Sequence, residues 1–374
     1  MRLDNPFLTE GYISPEYFCD REEETAMLVR HVTNNCNVAL IAPRRLGKSG
    51  LIKNCFFQPE VRDYYYTFYV DIYETKNMNE FVYELGKCIL NTLKPLGRKA
   101  WESFVSVLRS LQHTITMNMD GMPEWKVCIG DIRQPDLTLD EIFEYLGAAD
   151  RPCIVAIDEF QVIADYPEKT VEAALRKRIQ ACLNARFIYS GSKRHSMSMM
   201  FASASRPFYN SSSIMGLEPI DSKVYCNFAN NHLNKIAKSI DYEVFQWLYD
   251  HFEGTTWYIQ YVLNILYTTP TSGLSFTKDE VRYAIAAILR NNSFVYKSLL
   301  FQLTTKQKQL LLAIAAEGKA TTITSQRFSQ RCGMTPSTIQ TAAAALLDRD
   351  FITMEEGTYE VYDRFFGLWL RDSI

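Results

Sequence analysis

"NVALIAPRRLGKSGLIKN", residues 37–54, is the stretch whose reading decides the fold. An apolar run from Val38 to Ile41 ends in Ala-Pro and reads as a buried strand, and a helical pattern opens at Lys48-Ser49-Gly50. Strand, loop and helix in that order is the setting in which Gly-Lys-Ser wraps phosphate. Backbone N–H groups and the helix N-terminus face the anion, the lysine reaches the outer phosphates, and the hydroxyl ligates magnesium. The expected nucleotide-binding set is therefore Ala42, Pro43, Arg44, Arg45, Leu46, Gly47, Lys48, Ser49 and Gly50. Ala42 stands where the strict pattern has glycine. Its methyl group is tolerable if φ is negative there, and Pro43 biases it to an extended backbone.

Working outward, "CIVAIDEF" (153–160) is an apolar strand ending in adjacent carboxylates. Asp158 is the expected second magnesium ligand beside Ser49, and Glu159 the group that polarises the attacking water. An Asp-Glu pair that only caps the following turn is the structural alternative. "IYSGS" (188–192) offers a third strand end. There Ser190 or Ser192 is expected to sense the outer phosphate or place the water; a plain polar strand terminus is the competing reading. Lys48 and Glu159 with Ser192 form the expected catalytic group, and ATP and Mg2+ the expected cofactors.

The rest of the first part of the chain supports a parallel sheet covered on both faces. "YTFYVDIYE" and "ARFIYSGS" read as further strands and "SKVYCNF" as a fifth. Helices are expected over "DREEETAMLVRHVTNN", with an Asp20/Glu23 capping box, and over "MNEFVYELGKCILNTLK", "WESFVSVLRSL" and "VEAALRKRIQACLN". "LTLDEIFEYLGAAD" is a further one, with a Thr138/Glu141 box. "HTITMNMDGMPEWKVCIG" reads as an excursion turning at Asp120-Gly121. Texture changes near residue 228, where helical patterns take over, and again near 303. From there three short helices precede a hairpin turning at Glu356-Gly357, the winged-helix pattern. The division expected is a P-loop core over 1–227, a helical part over 228–300 and a winged helix over 301–374. The fold class expected is α/β, a P-loop NTPase core on a parallel sheet.

Bulk properties narrow the function. The 374 residues are 47% hydrophobic and 22% charged, with a formal net charge of -3, ordinary values for a globular chain. Nine scattered cysteines without a Cys-x-x-Cys pair argue for reduced thiols in a cytosol, against a disulfide frame or zinc ribbon. "MRLDNPFLTE" has no apolar run, and no stretch approaches the roughly 18 apolar residues of a membrane span. A cytoplasmic protein without a membrane partner is expected. His113, His195, His232 and His251 lack metal-ligand spacing and read as ordinary surface or core residues.

"YFCDREEE", "APRRLGKS", "VAIDEFQ" and "IYSGSKRHSM" followed by "RPFYNSSSIMGLEPI" resemble the archaeal-type AAA+ ATPase family of archaea and Bacteroidetes, related to the STAND switch ATPases. The likeness runs over roughly residues 12 to 370. It implies an ATPase core of the ASCE/AAA+ type, a helical lid over 228–300 and a C-terminal winged helix, and it places Arg21, in Arg21-Glu22, beside the nucleotide. Two departures stand out. Many relatives carry Gly-Arg where this chain has Asn210-Ser211, which leaves Arg206 as the nearest basic substitute for a finger reaching a neighbouring subunit's phosphate. The lid motif reads "EGTTWYIQ": Gly254 and Gln260 match, and Thr256 replaces the usual proline.

The winged helix is a poor stand-alone DNA binder. Over 301–374 eight basic residues face eight acidic ones, and affinity for DNA rests mainly on phosphate neutralisation. Its expected recognition helix, "TPSTIQTAAAALLDRD", has no cation before Arg349, although Ser337, Thr338, Gln340 and Thr341 offer polar contacts. The expected function is an ATP-dependent switch, slow in hydrolysis, that repositions the winged helix towards a protein partner or a second copy. The alternative is a DNA-binding regulator stabilised by ATP.

Overall fold

The computed structural model describes residues 5–93, 116–117, 123–124, 132–270 and 273–372. Tertiary contacts divide the chain into two compact units. One comprises Leu8–Tyr225 with Thr255–Trp257; the other comprises Met1–Phe7, Cys226–Gly254 and Tyr258–Ile374.

The first unit is built on a five-stranded sheet. In chain order its strands are β1 (Val38–Ile41), β2 (Tyr66–Asp71), β5 (Cys153–Asp158), β6 (Ala185–Gly191) and β7 (Ser213–Gly216). They lie in the order β2-β5-β6-β1-β7, and every pairing is parallel. β3 (Thr116–Met117) and β4 (Pro123–Glu124) form a separate antiparallel pair. Period-two alternation feeds two cores, one on each face of the sheet. Ala39 and Ile41 of β1 and Val155 and Ile157 of β5 join one. Val38, Leu40, Ile154 and Ala156 join the other. Among the described residues the helices α1 (Glu22–Thr33), α2 (Lys48–Phe57), α3 (Pro59–Arg62), α4 (Met78–Thr92), α5 (Pro135–Gly147), α6 (Val171–Ala181) and α7 (Arg194–Ala202) accompany this sheet.

Several local expectations need correction. "SKVYCNF" is not a strand: it lies in α8 (Ser222–Leu233), and the fifth strand is β7, nine residues earlier at its start. The Asp20/Glu23 box does not form. α1 is preceded by Arg21 in a left-handed conformation with no side-chain cap. Thr138 sits inside α5, which begins at Pro135, and its hydroxyl donates to the Gln134 carbonyl. The helix expected over 101–111 and the Asp120-Gly121 turn lie outside the described residues.

The second unit takes α8 from Cys226 on, then β8 (Ser239–Ile240), α9 (Tyr242–His251), α10 (Thr256–Thr268) from Tyr258 on, and β9 (Ser275–Phe276), which pairs in parallel with β8. α11 (Lys278–Phe301) opens on a Thr277/Glu280 capping box, and α12 (Thr305–Glu317) on a Thr304/Gln307 box. Then come β10 (Ala320–Thr321), α13 (Gln326–Cys332), α14 (Pro336–Asp348), β11 (Ile352–Glu355) and β12 (Thr358–Val361), with a sheet order β10-β12-β11. Glu356 and Gly357 both take positive φ, 50° and 80°, as a two-residue hairpin turn requires. The closing helix α15 (Arg364–Asp372) buries Phe365, Phe366 and Leu370. No described helix is long and apolar enough to cross a membrane.

Candidate nucleotide site

Three strand ends meet at one edge of the sheet. β1 runs into the loop at Ala42, β5 ends at Asp158, and β6 ends at Gly191, with Ser192 next. Parallel pairing of β6 with both β5 and β1 brings these ends together, the usual location of ligands in such sheets.

Ala42 is fully buried, and its N–H donates to the Gly191 carbonyl at 3.4 Å. The loop reverses hand further on. Arg45 has φ 70° and Gly47 φ 95°, alternations that curl backbone N–H groups around an anion. Gly47 immediately precedes α2, so the N-terminal end of that helix opens on the loop. The Lys48 ammonium is buried and donates to the carbonyls of Ala42 at 2.8 Å and Pro43 at 3.0 Å. Burial pulls its pKa below the ordinary lysine range, against the opposing pull of the Glu159 and Asp158 carboxylates.

The Ser49 hydroxyl donates to Asp158 Oδ2 at 2.9 Å. Tyr69 from β2 donates to the same oxygen, and the Glu159 N–H to Oδ1 at 3.0 Å. Burial and the Asp158 carboxylate drive the Tyr69 phenol pKa upward. Glu159 itself is left-handed, φ 56°, at the start of a 3-10 turn over 160–165. A left-handed backbone at a residue other than glycine costs on the order of 1 kcal/mol. That carboxylate accepts from Ser192 Oγ at 2.7 Å and Gln161 Nε2 at 2.5 Å, and Arg44 Nε stands 3.6 Å away. Arg44 also donates to Ser192 at 3.2 Å and lies over the Tyr73 ring.

The structure thus gathers Arg44, Lys48, Ser49, Asp158, Glu159 and Ser192. Ser190, the other serine of that strand end, is fully buried and its hydroxyl has no partner among the described residues. The remaining expected residues sit elsewhere in the same unit. Arg45 stacks on Trp257, 4.3 Å from the ring centroid, and its carbonyl accepts from the Trp257 N–H at 3.1 Å. Leu46 is buried, and Gly50 is packed so closely that a methyl group there would come within 2.9 Å of the Phe18 ring. Arg21 is buried, donating to Glu24 at 2.5 Å and to the Glu218 carbonyl at 2.6 Å. Arg206 pairs with Glu172, not with the loop or Glu159. A groove of about 490 Å³ runs beside α2, lined by Phe18, Asp20, Thr25, Asn54 and Gln58 among others.

Three contributors escaped the sequence reading. Tyr69 and Asp71 enter through the β2–β5 register, which sets Asp71 opposite Asp158. Asp71 is pushed above the usual carboxylate range by burial, with the neighbouring Asp158 and Glu159 charges adding to it against a hydrogen bond from Tyr73. Gln161 was visible only as part of "DEFQ".

The donor set suits a magnesium nucleotide. A hydroxyl and a carboxylate, both hard oxygen donors, converge within hydrogen-bond distance beside a lysine and a helix N-terminus.

This sheet order, phosphate-type loop and C-terminal winged helix define a P-loop fold of the AAA+ type. Residues 294–372 match the family model described as "Probable winged helix domain". The whole chain is similar in structure to the Walker-type ATPase PABY2304 of Pyrococcus abyssi, at TM-score 0.62 and 17% identity, covering 98% of this chain and 99% of that one. It is similar to the Aeropyrum pernix ORC2 protein in its ADPNP-ADP complexes, at TM-score 0.60 and 13% identity over 98% and 95%. The Aeropyrum pernix ORC1 protein in complex with DNA aligns at TM-score 0.53 and 12% identity over 96% and 94%. No curated protein matches the sequence.

Proposed function

We propose that this chain is an ATP-dependent switch that hydrolyses its nucleotide slowly and uses the nucleotide state to reposition its winged helix. The single observation that carries this reading is the Ser49–Asp158 contact at 2.9 Å, with Glu159 held next to it by Ser192 and Gln161. Lys48 and the loop N–H groups hold the phosphates, and Ser49 and Asp158 hold the metal. Bound Mg2+ supplies charge neutralisation on the phosphates. Glu159 accepts the proton of the attacking water, and its present partners keep the carboxylate from that task until they let go. The three-part organisation over 1–227, 228–300 and 301–374 and the kinship with STAND switches belong to the same reading, supported by the four motif stretches. A cytoplasmic location is part of it too.

Calorimetry and turnover test it together. Lys48→Ala is expected to lose measurable ATP affinity. Glu159→Gln is expected to bind ATP near the wild-type level and to lose turnover by about 100-fold, the scale of a general base. Unchanged affinity in the first variant would remove the site; unchanged turnover in the second would remove Glu159 from its role.

The winged helix and the DNA-bound ORC1 neighbour favour a second reading, a DNA-binding regulator stabilised by ATP. Binding to duplex DNA with a steep salt dependence would support it. Against it, α14 exposes Ser337, Gln340 and Thr341 rather than cations, and Arg349 is engaged with Gln302.

A further inference from the structure

α11 is a 24-residue helix that buries one face and leaves the other bare. Val281, Ala284, Ile285, Ile288, Leu289 and Tyr296 form the buried face. On the opposite side Tyr283, Ala287, Arg290, Phe294, Lys297 and Phe301 follow one another at intervals of four, three, four, three and four residues. That alternation is the period of a helix-packing seam, with its members aligned along one side of a helix. The stripe is about 27 Å long at about 1.5 Å per residue. Its rings are in water: Tyr283 is 63% exposed, Phe294 81% and Phe301 83%. Single exposed apolar residues need no explanation, but three aligned aromatics on one seam do.

The charge along this stripe has one sign. Between Val281 and Ala316 the chain carries Arg282, Arg290, Lys297, Lys306 and Lys308, and no Asp or Glu, although the whole chain is net acidic. The acidic Asp279 at the helix start is paired with Arg282. Neither Arg290 nor Lys297 has an ion-pair partner among the described residues. Arg290 lies over the Tyr283 ring at 5.2 Å and Lys308 over Phe301 at 5.6 Å, so the cations stay on the stripe beside the rings.

We propose that this stripe docks an acidic amphipathic helix of a partner protein. Apolar side chains of the partner cover Phe294 and Phe301, and its carboxylates, one heptad apart, face Arg290 and Lys297. Charge selects this occupant over a second copy of the chain. A parallel pairing sets Arg290 against Arg290, and an antiparallel one sets Arg290 against Lys297; both are repulsive. The heptad interval selects it over nucleic acid, whose binding surfaces are tracked by cations along the backbone and have no such repeat. This proposal does not depend on nucleotide binding.

The test uses the full chain and a fluorescent three-heptad peptide of about 21 residues, with leucine and glutamate alternating along its seam. A twin with lysine for glutamate is the control. The glutamate peptide is expected to bind at least tenfold more tightly than the lysine twin. Phe294→Ser with Phe301→Ser is expected to weaken it at least tenfold. Arg290→Glu with Lys297→Glu is expected to reverse the preference towards the lysine twin. All four substitutions are on exposed positions, and unchanged thermal melts establish that the variants fold; Phe301→Ser alone, at the helix end, serves should the double variant melt early. Absent binding, equal binding of the two peptides, or no reversal overturns the proposal. So does an oligothymidylate that binds the stripe more tightly than the glutamate peptide, or a concentration-dependent dimer in sedimentation that the same substitutions abolish.

Discussion

Ala42, the irregular position of the phosphate loop, lies outside the set of positive-φ residues, so its methyl group meets no backbone conflict. The left-handed turns fall instead at Arg45 and Gly47. That much follows from Pro43 and the strand before it. What single residues do not reveal is who holds Glu159. Tyr69 and Asp71 come beside Asp158 only through pairing between strands far apart in sequence, whereas Gln161 reaches Glu159 from two residues away, through a 3-10 turn that "DEFQ" does not announce. Arg206 is a second such case. Its guanidinium meets Glu172, whose carboxyl is raised above the ordinary range by burial, although Arg206 pulls it down. A raised folded pKa means the folded chain holds that proton more tightly than the unfolded one. The linked stability is full below the ordinary glutamate range, and it is lost as pH rises through the folded value. Arg206→Ala removes the compensating charge. It should cost about 1–2 kcal/mol at neutral pH, less than the full cost of breaking a buried pair because Arg206 is partly exposed. The loss should shrink as pH falls through the raised folded value of Glu172, and be gone within the ordinary glutamate range, where the carboxyl is already protonated. Melting curves across pH check this. Glu172→Gln added to Arg206→Ala should recover most of the stability. If ATP turnover recovers with it, Arg206 is a structural arginine; if turnover stays lost in the stable double variant, Arg206 acts as the finger.

At the level of elements, β1, β5 and β6 were legible because each is a run of buried apolar residues with chemistry at its end. β7 was not. It has four residues, of which only Met215 is buried, and it lies at the sheet edge. "SKVYCNF" offered a longer stretch with more apolar and aromatic residues, yet it forms a helix, in which Tyr225, Cys226 and Ala229 fall on one buried face. The turn from β6 into α7 was equally hidden. Added to Gly191, a Cβ would come within 2.4 Å of Met197 and 2.5 Å of Gln161. Met197 is a buried helix residue with little room to retreat, and Gln161 is the amide that holds Glu159. Gly191→Ala is therefore expected to displace Gln161 and alter turnover at least threefold while ATP affinity stays within about twofold, estimates on the scale of 1 kcal/mol or less. A variant with unaltered kcat would show that this close approach does not govern the Glu159 carboxylate. The cap of α11 gives a simpler expectation. Thr277→Ala removes the acceptor of the Glu280 N–H and should lower stability by about 1 kcal/mol in denaturant titration, with no effect on ATP affinity.

For the molecule as a whole, a switch needs a physical link between nucleotide and output, and the first turn of α10 supplies a candidate. Thr255–Trp257 partition with the core unit, whereas the rest of that helix belongs to the second unit. Trp257 is fixed to the core by three contacts. Its N–H donates to the Arg45 carbonyl at 3.1 Å, its ring lies under the Arg45 guanidinium, and its Nε1 donates to the Thr9 carbonyl at 2.8 Å. Arg45 is one of the left-handed residues of the loop, so under the proposed switch a change in loop geometry on binding phosphate would be felt at the start of α10. Further along, Tyr258 receives a hydrogen bond from the Arg364 N–H and packs against Phe365, which ties the same helix to α15 beyond the winged-helix hairpin. If this path carries the signal, amide hydrogen exchange should differ between the ATP and ADP states both within residues 8–225 and in α10, α15 and the hairpin between β11 and β12. Trp257→Ala should keep ATP affinity within about threefold, under 1 kcal/mol, and confine the nucleotide-dependent difference to residues 8–225. Coupling of this kind requires an element whose two states the nucleotide favours unequally. A wild-type chain whose second unit exchanges identically in ATP and ADP has no such element, and the switch reading then fails even with the nucleotide site intact.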